Sequence, residues 1–136
     1  MKDNNMTKEE FENVITAHPT LTIQGFGVDE GQEQSFDIER DKLLNCYNEA
    51  LVCEEFLDLC RRTINPHTSL GSTYGFKHAV ERYAKKQGND LYIPEGVLIL
   101  AALHLGFKMK PKEGTTSVYL NISKKTKIHD TWIYCY

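Results

Sequence analysis

Residues 94–106 read Pro94-Glu95-Gly96-Val97-Leu98-Ile99-Leu100-Ala101-Ala102-Leu103-His104-Leu105-Gly106. Proline suits the first position of a helix, and glycine suits the residue just past its end. From Val97 to Leu105 the side chains are apolar nearly all round, not along one stripe. Such a helix has almost no face for water and is expected at the buried centre of the fold. The run Val97 to Leu103 is far too short to span a bilayer.

The flanking segments follow from that centre. Before it, Ser72 or Thr73 caps a helix expected from about Tyr74 to Gln87, and Gly88-Asn89-Asp90 ends it. Phe76, Val80, Tyr83 and Ala84 share one side, while Lys77, His78, Glu81, Arg82, Lys85 and Lys86 lie toward the other. After the centre, residues 107–110, 118–122 and 127–136 alternate or are rich in β-branched and aromatic side chains. They predict a small antiparallel sheet near the C-terminus, with 111–116 as a turn.

Toward the N-terminus, Thr7-Lys8-Glu9-Glu10 is a capping box, and His18-Pro19 closes the helix it opens. Leu21 to Gln24 reads as a short strand, and Gly25, Gly27 and Gly31 read as a loop. One long amphipathic helix is expected from Ser35 to about Thr63, with Leu43, Leu44, Tyr47, Leu51, Phe56, Leu57 and Leu59 on its apolar side. The expectation is a single α+β domain of about four helices with a buried central helix.

The chain has 136 residues, 40% hydrophobic and 26% charged, as in ordinary globular domains. Its polar, acidic start does not read as a signal peptide, so a cytoplasmic location is expected. The net charge of −3 hides an asymmetry: residues 1–63 hold 6 Lys/Arg against 14 Asp/Glu, and residues 64–127 hold 10 against 4. Either the halves neutralise each other within the fold or they mark charged partners.

Cys46, Cys53 and Cys60 recur every seven residues. On one helix they would lie about 10 Å apart along the axis, too far for a disulfide or a shared metal. They read as buried small side chains. His67, His78 and His104 show no CxxC, HxxxH or HExxH spacing, so neither a metal nor a cofactor is expected. There is no nucleophile elbow or Walker loop, and Gly25-Phe26-Gly27 lacks the third dinucleotide glycine. An enzyme is therefore not expected; His78 with Glu81, three apart on a helix, is the alternative acid–base pair.

The two helices around 72–106 have a helix-turn-helix outline, but the second lacks polar side chains to read bases. Any nucleic acid would instead meet Lys77, His78, Arg82, Lys85, Lys86, Lys108, Lys110, Lys112, Lys124 and Lys125, with Tyr74 and Tyr119 as stacking groups. Glu39, Asp41, Glu49, Glu54, Glu55 and Asp58 would form the polar face of the long helix. That face is either simply solvated, a docking surface for a basic partner, or a mimic of nucleic-acid phosphates.

Residues 63–123 resemble a module found in small proteins of bacterial phages and mobile elements. The residues that carry the likeness are Thr73-Tyr74-Gly75-Phe76-Lys77-His78, then Tyr92, Ile93, Pro94 and Gly96 before Leu98 to Leu103, then Gly106-Phe107 and Tyr119-Leu120-Asn121-Ile122-Ser123. The resemblance implies an origin in mobile DNA and a place in the cytoplasm of a bacterial host. Proteins of that origin are often regulators or inhibitors of nucleic-acid-targeting defence, including anti-CRISPR proteins. The expected function is non-enzymatic binding to a nucleic-acid-processing complex, a bacterial CRISPR-Cas effector in particular. The alternatives are a direct DNA- or RNA-binding accessory protein and an enzyme using His78. The oligomeric state is open.

Overall fold

The computed structural model describes residues 5–136. Residues 1–4, part of the polar start, lie outside them. The helices are α1 (Lys8–Ala17), α2 (Phe36–Asp41), α3 (Tyr47–Asp58), α4 (Thr73–Lys86) and α5 (Glu95–His104). The strands are β1 (Leu21–Thr22), β2 (Gly25–Phe26), β3 (Met109–Pro111), β4 (Val118–Leu120), β5 (Lys127–Ile128) and β6 (Thr131–Trp132). The fold is α+β.

Helix α5 is the centre of the core. Every residue from Val97 to Ala102 is fully shielded from solvent. It packs against α1, α3, α4 and the β1–β2 hairpin. Pro94 stands one position earlier than expected, as the extended N-cap with φ −65° and ψ 142°. Among the described residues no helix is long and apolar enough to cross a membrane.

The hairpin lies directly on the start of α5. Gly96 N–H donates to Ile23 O at 3.0 Å. A Cβ at position 96 would stand 1.8 Å from Thr22 O, so only glycine fits. Gly25, expected in a loop, is instead the first residue of β2, with φ +135°. A Cβ there would meet Thr116 O at 2.3 Å. The turn after β3 thus docks on the hairpin, and Phe26 N–H donates to Thr116 O at 2.9 Å.

The expected helix over 35–63 is broken. A 3-10 turn at Glu33–Ser35 leads into α2, and a second, Lys42–Asn45, separates α2 from α3. The 3-10 geometry eclipses residues three apart, and it buries Leu43 together with Cys46. Leu44 and Leu59, expected on the apolar side, are exposed. Arg40 accounts for the direction of α2. Its guanidinium donates to Ile15 O at 2.6 Å and to His18 O and Leu21 O at 2.9 Å. Those carbonyls lie at and just beyond the C-terminal end of α1, where helical acceptors lack partners.

Cys46, Cys53 and Cys60 are all buried and free, as the seven-residue spacing implied. Burial pushes the Cys60 thiol up to about 12.

The strands do not join into one sheet. They form three separate antiparallel pairs, β1–β2, β3–β4 and β5–β6. In the second pair Met109 faces Leu120 and Lys110 faces Tyr119. Buried Asn121 ties this pair to the loop after α3. Its Oδ1 accepts from Lys108 N–H and its Nδ2 donates to Thr63 O, both at 2.8 Å.

Candidate nucleic-acid interface

Helix α4 is capped by Ser72, whose hydroxyl accepts from Tyr74 N–H. Phe76, Ala79, Val80, Tyr83 and Ala84 are buried against the core. Tyr74, His78, Arg82 and Lys85 follow one another at spacings of four, four and three, which places them in one outer stripe. Tyr74, Arg82 and Lys85 are exposed and His78 is half-buried. The Tyr74 and His78 rings meet edge-on at 5.5 Å.

The loop after α4 folds back beside this stripe, and Glu81 holds it there. Glu81 Oε2 accepts from Ile93 N–H at 2.9 Å, and Oε1 lies 3.0 Å from His78 Nδ1. Burial alone would push the Glu81 carboxyl up. The Ile93 N–H, His78 and Lys77 outweigh that effect and hold it below its ordinary value. All these contacts make Glu81 a clamp for the loop. The fold brings Tyr92 out at its tip, 70% exposed. His78, Arg82, Lys85 and Tyr92 line a depression of about 480 Å³.

The other basic residues are placed differently. Lys77, expected to reach phosphate from the surface, is buried. Its ammonium lies 3.5 Å from Glu81 Oε2 and 4.4 Å from the centre of the Tyr92 ring. The loop over α4 covers it, so its place is under the surface. Lys86 is exposed but lies over the Tyr136 ring at 4.4 Å, and Arg82 donates to the Tyr136 main-chain oxygen. Lys108, Lys110, Lys124 and Lys125 are exposed on other segments, and none lines the depression. Tyr119 is half-buried.

The acidic residues do not make one face. The break at 42–46 puts Glu39 and Asp41 on α2 and the other four on α3. Glu39 is half-buried and bonded to Lys42 at 2.8 Å, a contact that lowers its carboxyl pKa. Glu49 is half-buried, while Asp41, Glu55 and Asp58 are exposed. Glu55 accepts from Tyr83 O–H at 2.8 Å. Glu54 is only 1% exposed and belongs to the core. Its carboxylate accepts Met6 N–H at 3.0 and 3.2 Å, with His104 Nε2 3.5 Å away. A buried carboxylate bonded in this way cannot serve as a docking surface.

A second aromatic and basic patch escaped the sequence reading. The Trp132 and Tyr134 rings lie 15° from parallel at 6.0 Å, and Lys127 Nζ lies 4.4 Å from the Trp132 ring centre. The aromatic-rich run Trp132-Ile133-Tyr134 was the available signal; β6 ends at Trp132 and a 3-10 turn over Ile133–Cys135 buries Ile133 while Trp132 and Tyr134 stay exposed.

Among the described residues no three His, Cys, Asp or Glu converge as metal donors. Among the described residues the Lys42–Glu39, Lys77–Glu81 and His78–Glu81 pairs are local to their own segments, and His104 with Glu54 joins the two halves. Comparisons with protein-family models, curated proteins and solved structures find no match.

Proposed function

We propose that this chain is a non-enzymatic phage or mobile-element protein that binds nucleic acid held in a processing complex, with a bacterial CRISPR effector as the foremost complex. The observation that carries the reading is the outer stripe of α4. It presents Tyr74, His78, Arg82 and Lys85 in a row, with Tyr92 beside them. Cations spaced along a helix meet successive phosphates, and exposed rings stack on unpaired bases. The net positive charge of residues 64–127 favours the same partner. The resemblance of residues 63–123 to a mobile-element module supplies the biological setting.

The test is fluorescence anisotropy with labelled single-stranded RNA and DNA over a salt series, beside co-elution with a guide-loaded effector. Affinity is expected to fall steeply with salt, and Lys85→Glu is expected to weaken binding for every sequence alike. Loss of target cleavage on mixing identifies the effector. Salt-insensitive or absent binding, free and in the complex, overturns the proposal.

A further inference from the structure

The β5–β6 hairpin and the turn after it carry two large rings that lie apart from the α4 stripe. His129 and Asp130 form the hairpin turn, with φ 49° and 67°. Positive φ at both central residues marks a tight turn whose twist matches that of the strands. The turn fixes the register, so Lys127 faces Trp132 and Ile128 faces Thr131. Side chains directly opposite share one face of such a pair. Lys127 Nζ accordingly lies 4.4 Å from the Trp132 ring centre. The chain then enters the 3-10 turn Ile133–Cys135. Ile133 is buried, and its N–H donates to Thr126 O at 3.0 Å. Tyr136 O–H donates to Ile128 O at 3.3 Å. These ties hold the backbone on both sides of Tyr134, whose ring meets that of Trp132 at 6.0 Å and 15° from parallel.

Both rings stay open to solvent, Trp132 at 38% and Tyr134 at 59%. Two held aromatics offer a flat surface at little cost in freedom when a ligand stacks on them. The charge around them selects the class of ligand. Residues 120–136 carry Lys124, Lys125 and Lys127 against Asp130 alone, and the three lysines are exposed. An anion with flat faces suits that surface. A single strand of nucleic acid is one: its phosphates meet the lysines and its unpaired bases stack on the rings. A duplex keeps its base faces stacked inside and has none to offer. The patch is also continuous with α4. Tyr134 and Arg82 line one depression of about 300 Å³, and Arg82 and Tyr92 line the one of about 480 Å³, so Arg82 is common to both.

We infer that Trp132 and Tyr134 form a stacking platform for unpaired bases of a single strand, which runs on past Arg82 to Tyr92. The inference deepens the nucleic-acid reading and rests on it.

Trp132 is the one tryptophan of the chain, so its fluorescence reports on this site alone. A single strand of about twelve nucleotides, unlabelled for fluorescence and end-labelled for anisotropy, is titrated into the full chain. Quenching of Trp132 is expected in step with the rise in anisotropy. An abasic strand of the same length keeps the phosphates and lacks the bases. It should bind about tenfold more weakly and leave the fluorescence unchanged. Trp132→Ala and Tyr134→Ala, both at exposed sites and checked for fold by circular dichroism, should each weaken the base-bearing strand about tenfold and leave the abasic strand unaffected. Binding without quenching, equal affinity for the abasic strand, equal quenching by a duplex, or full affinity in both folded variants overturns the platform. If the strand still binds with salt sensitivity in those cases, the nucleic-acid reading of α4 stands. If no strand binds, free or in the complex, both fail.

Discussion

Replacing Gly96 by alanine tests how the fold is closed. Its Cβ would stand 1.8 Å from Thr22 O and 2.9 Å from both C and O of Ile23. All three are backbone atoms of the β1–β2 hairpin, so no side chain can turn aside to make room. Carbon and carbonyl oxygen approach to about 3.3 Å, so the hairpin and α5 must separate by about 1.5 Å. That movement stretches the Gly96 N–H to Ile23 O bond, now 3.0 Å, beyond hydrogen-bonding range. The lost bond costs about 1 kcal/mol. Overpacking adds about 1–3 kcal/mol. Alanine's helix preference returns at most about 1 kcal/mol. The net loss is about 1–3 kcal/mol, or roughly 4–10 °C in melting temperature for a domain of this size.

Thermal melting followed by circular dichroism measures the change, and Gly75→Ala is the matched control. Gly75 lies in α4, and a Cβ there meets nothing within 4 Å. Its replacement should stabilise the chain by about 0.5–1 kcal/mol through helix preference alone. Opposite signs at the two glycines are the signature of a contact. A Gly96→Ala protein that melts at or above the wild type would refute the close approach of hairpin and helix.

Arg40→Ala should cost about 2–4 kcal/mol in urea unfolding, because three main-chain acceptors lose charged donors together; Arg40→Lys, a single point donor, should recover only part of that. Glu81 is expected to give stability an acid limb. Its folded pKa lies below the ordinary 4.5, so its contribution is present above that value and lost as pH falls through the lowered one. Glu81→Gln should flatten the fall in urea midpoint between neutral pH and pH 3, and an unchanged acid limb would show that the loop clamp does not depend on the carboxylate.

The sequence reading succeeded where local pattern and final environment coincide. Helix α5 was legible because a segment apolar on every side has only one stable place, the interior. The inward side of α4 was legible for the related reason that its stripe repeats at helical spacing. The break at Lys42–Asn45 was not legible. Leu43 and Cys46 lie three apart, a spacing that an α-helix and a 3-10 turn both satisfy, and what turns the chain is Arg40 bonding to Ile15, His18 and Leu21.

The same reasoning explains which charges were misplaced. A helical wheel puts Lys77 with the basic residues and Glu54 with the acidic ones, and both are buried. Each is covered by something distant along the chain. Tyr92 comes over Lys77 from the loop after α4, and Met6 N–H reaches Glu54 from 48 residues away. Periodicity shows where a side chain points from its own helix, but not what the rest of the fold lays over it. A buried charge is tolerated only when bonded, so the bonds around each one separate structure from function. The Glu54 carboxylate is bonded through both oxygens and is structural. Lys77 is held between Glu81 Oε2 and the Tyr92 ring, so it packs the loop onto α4 and does not stand among the surface lysines.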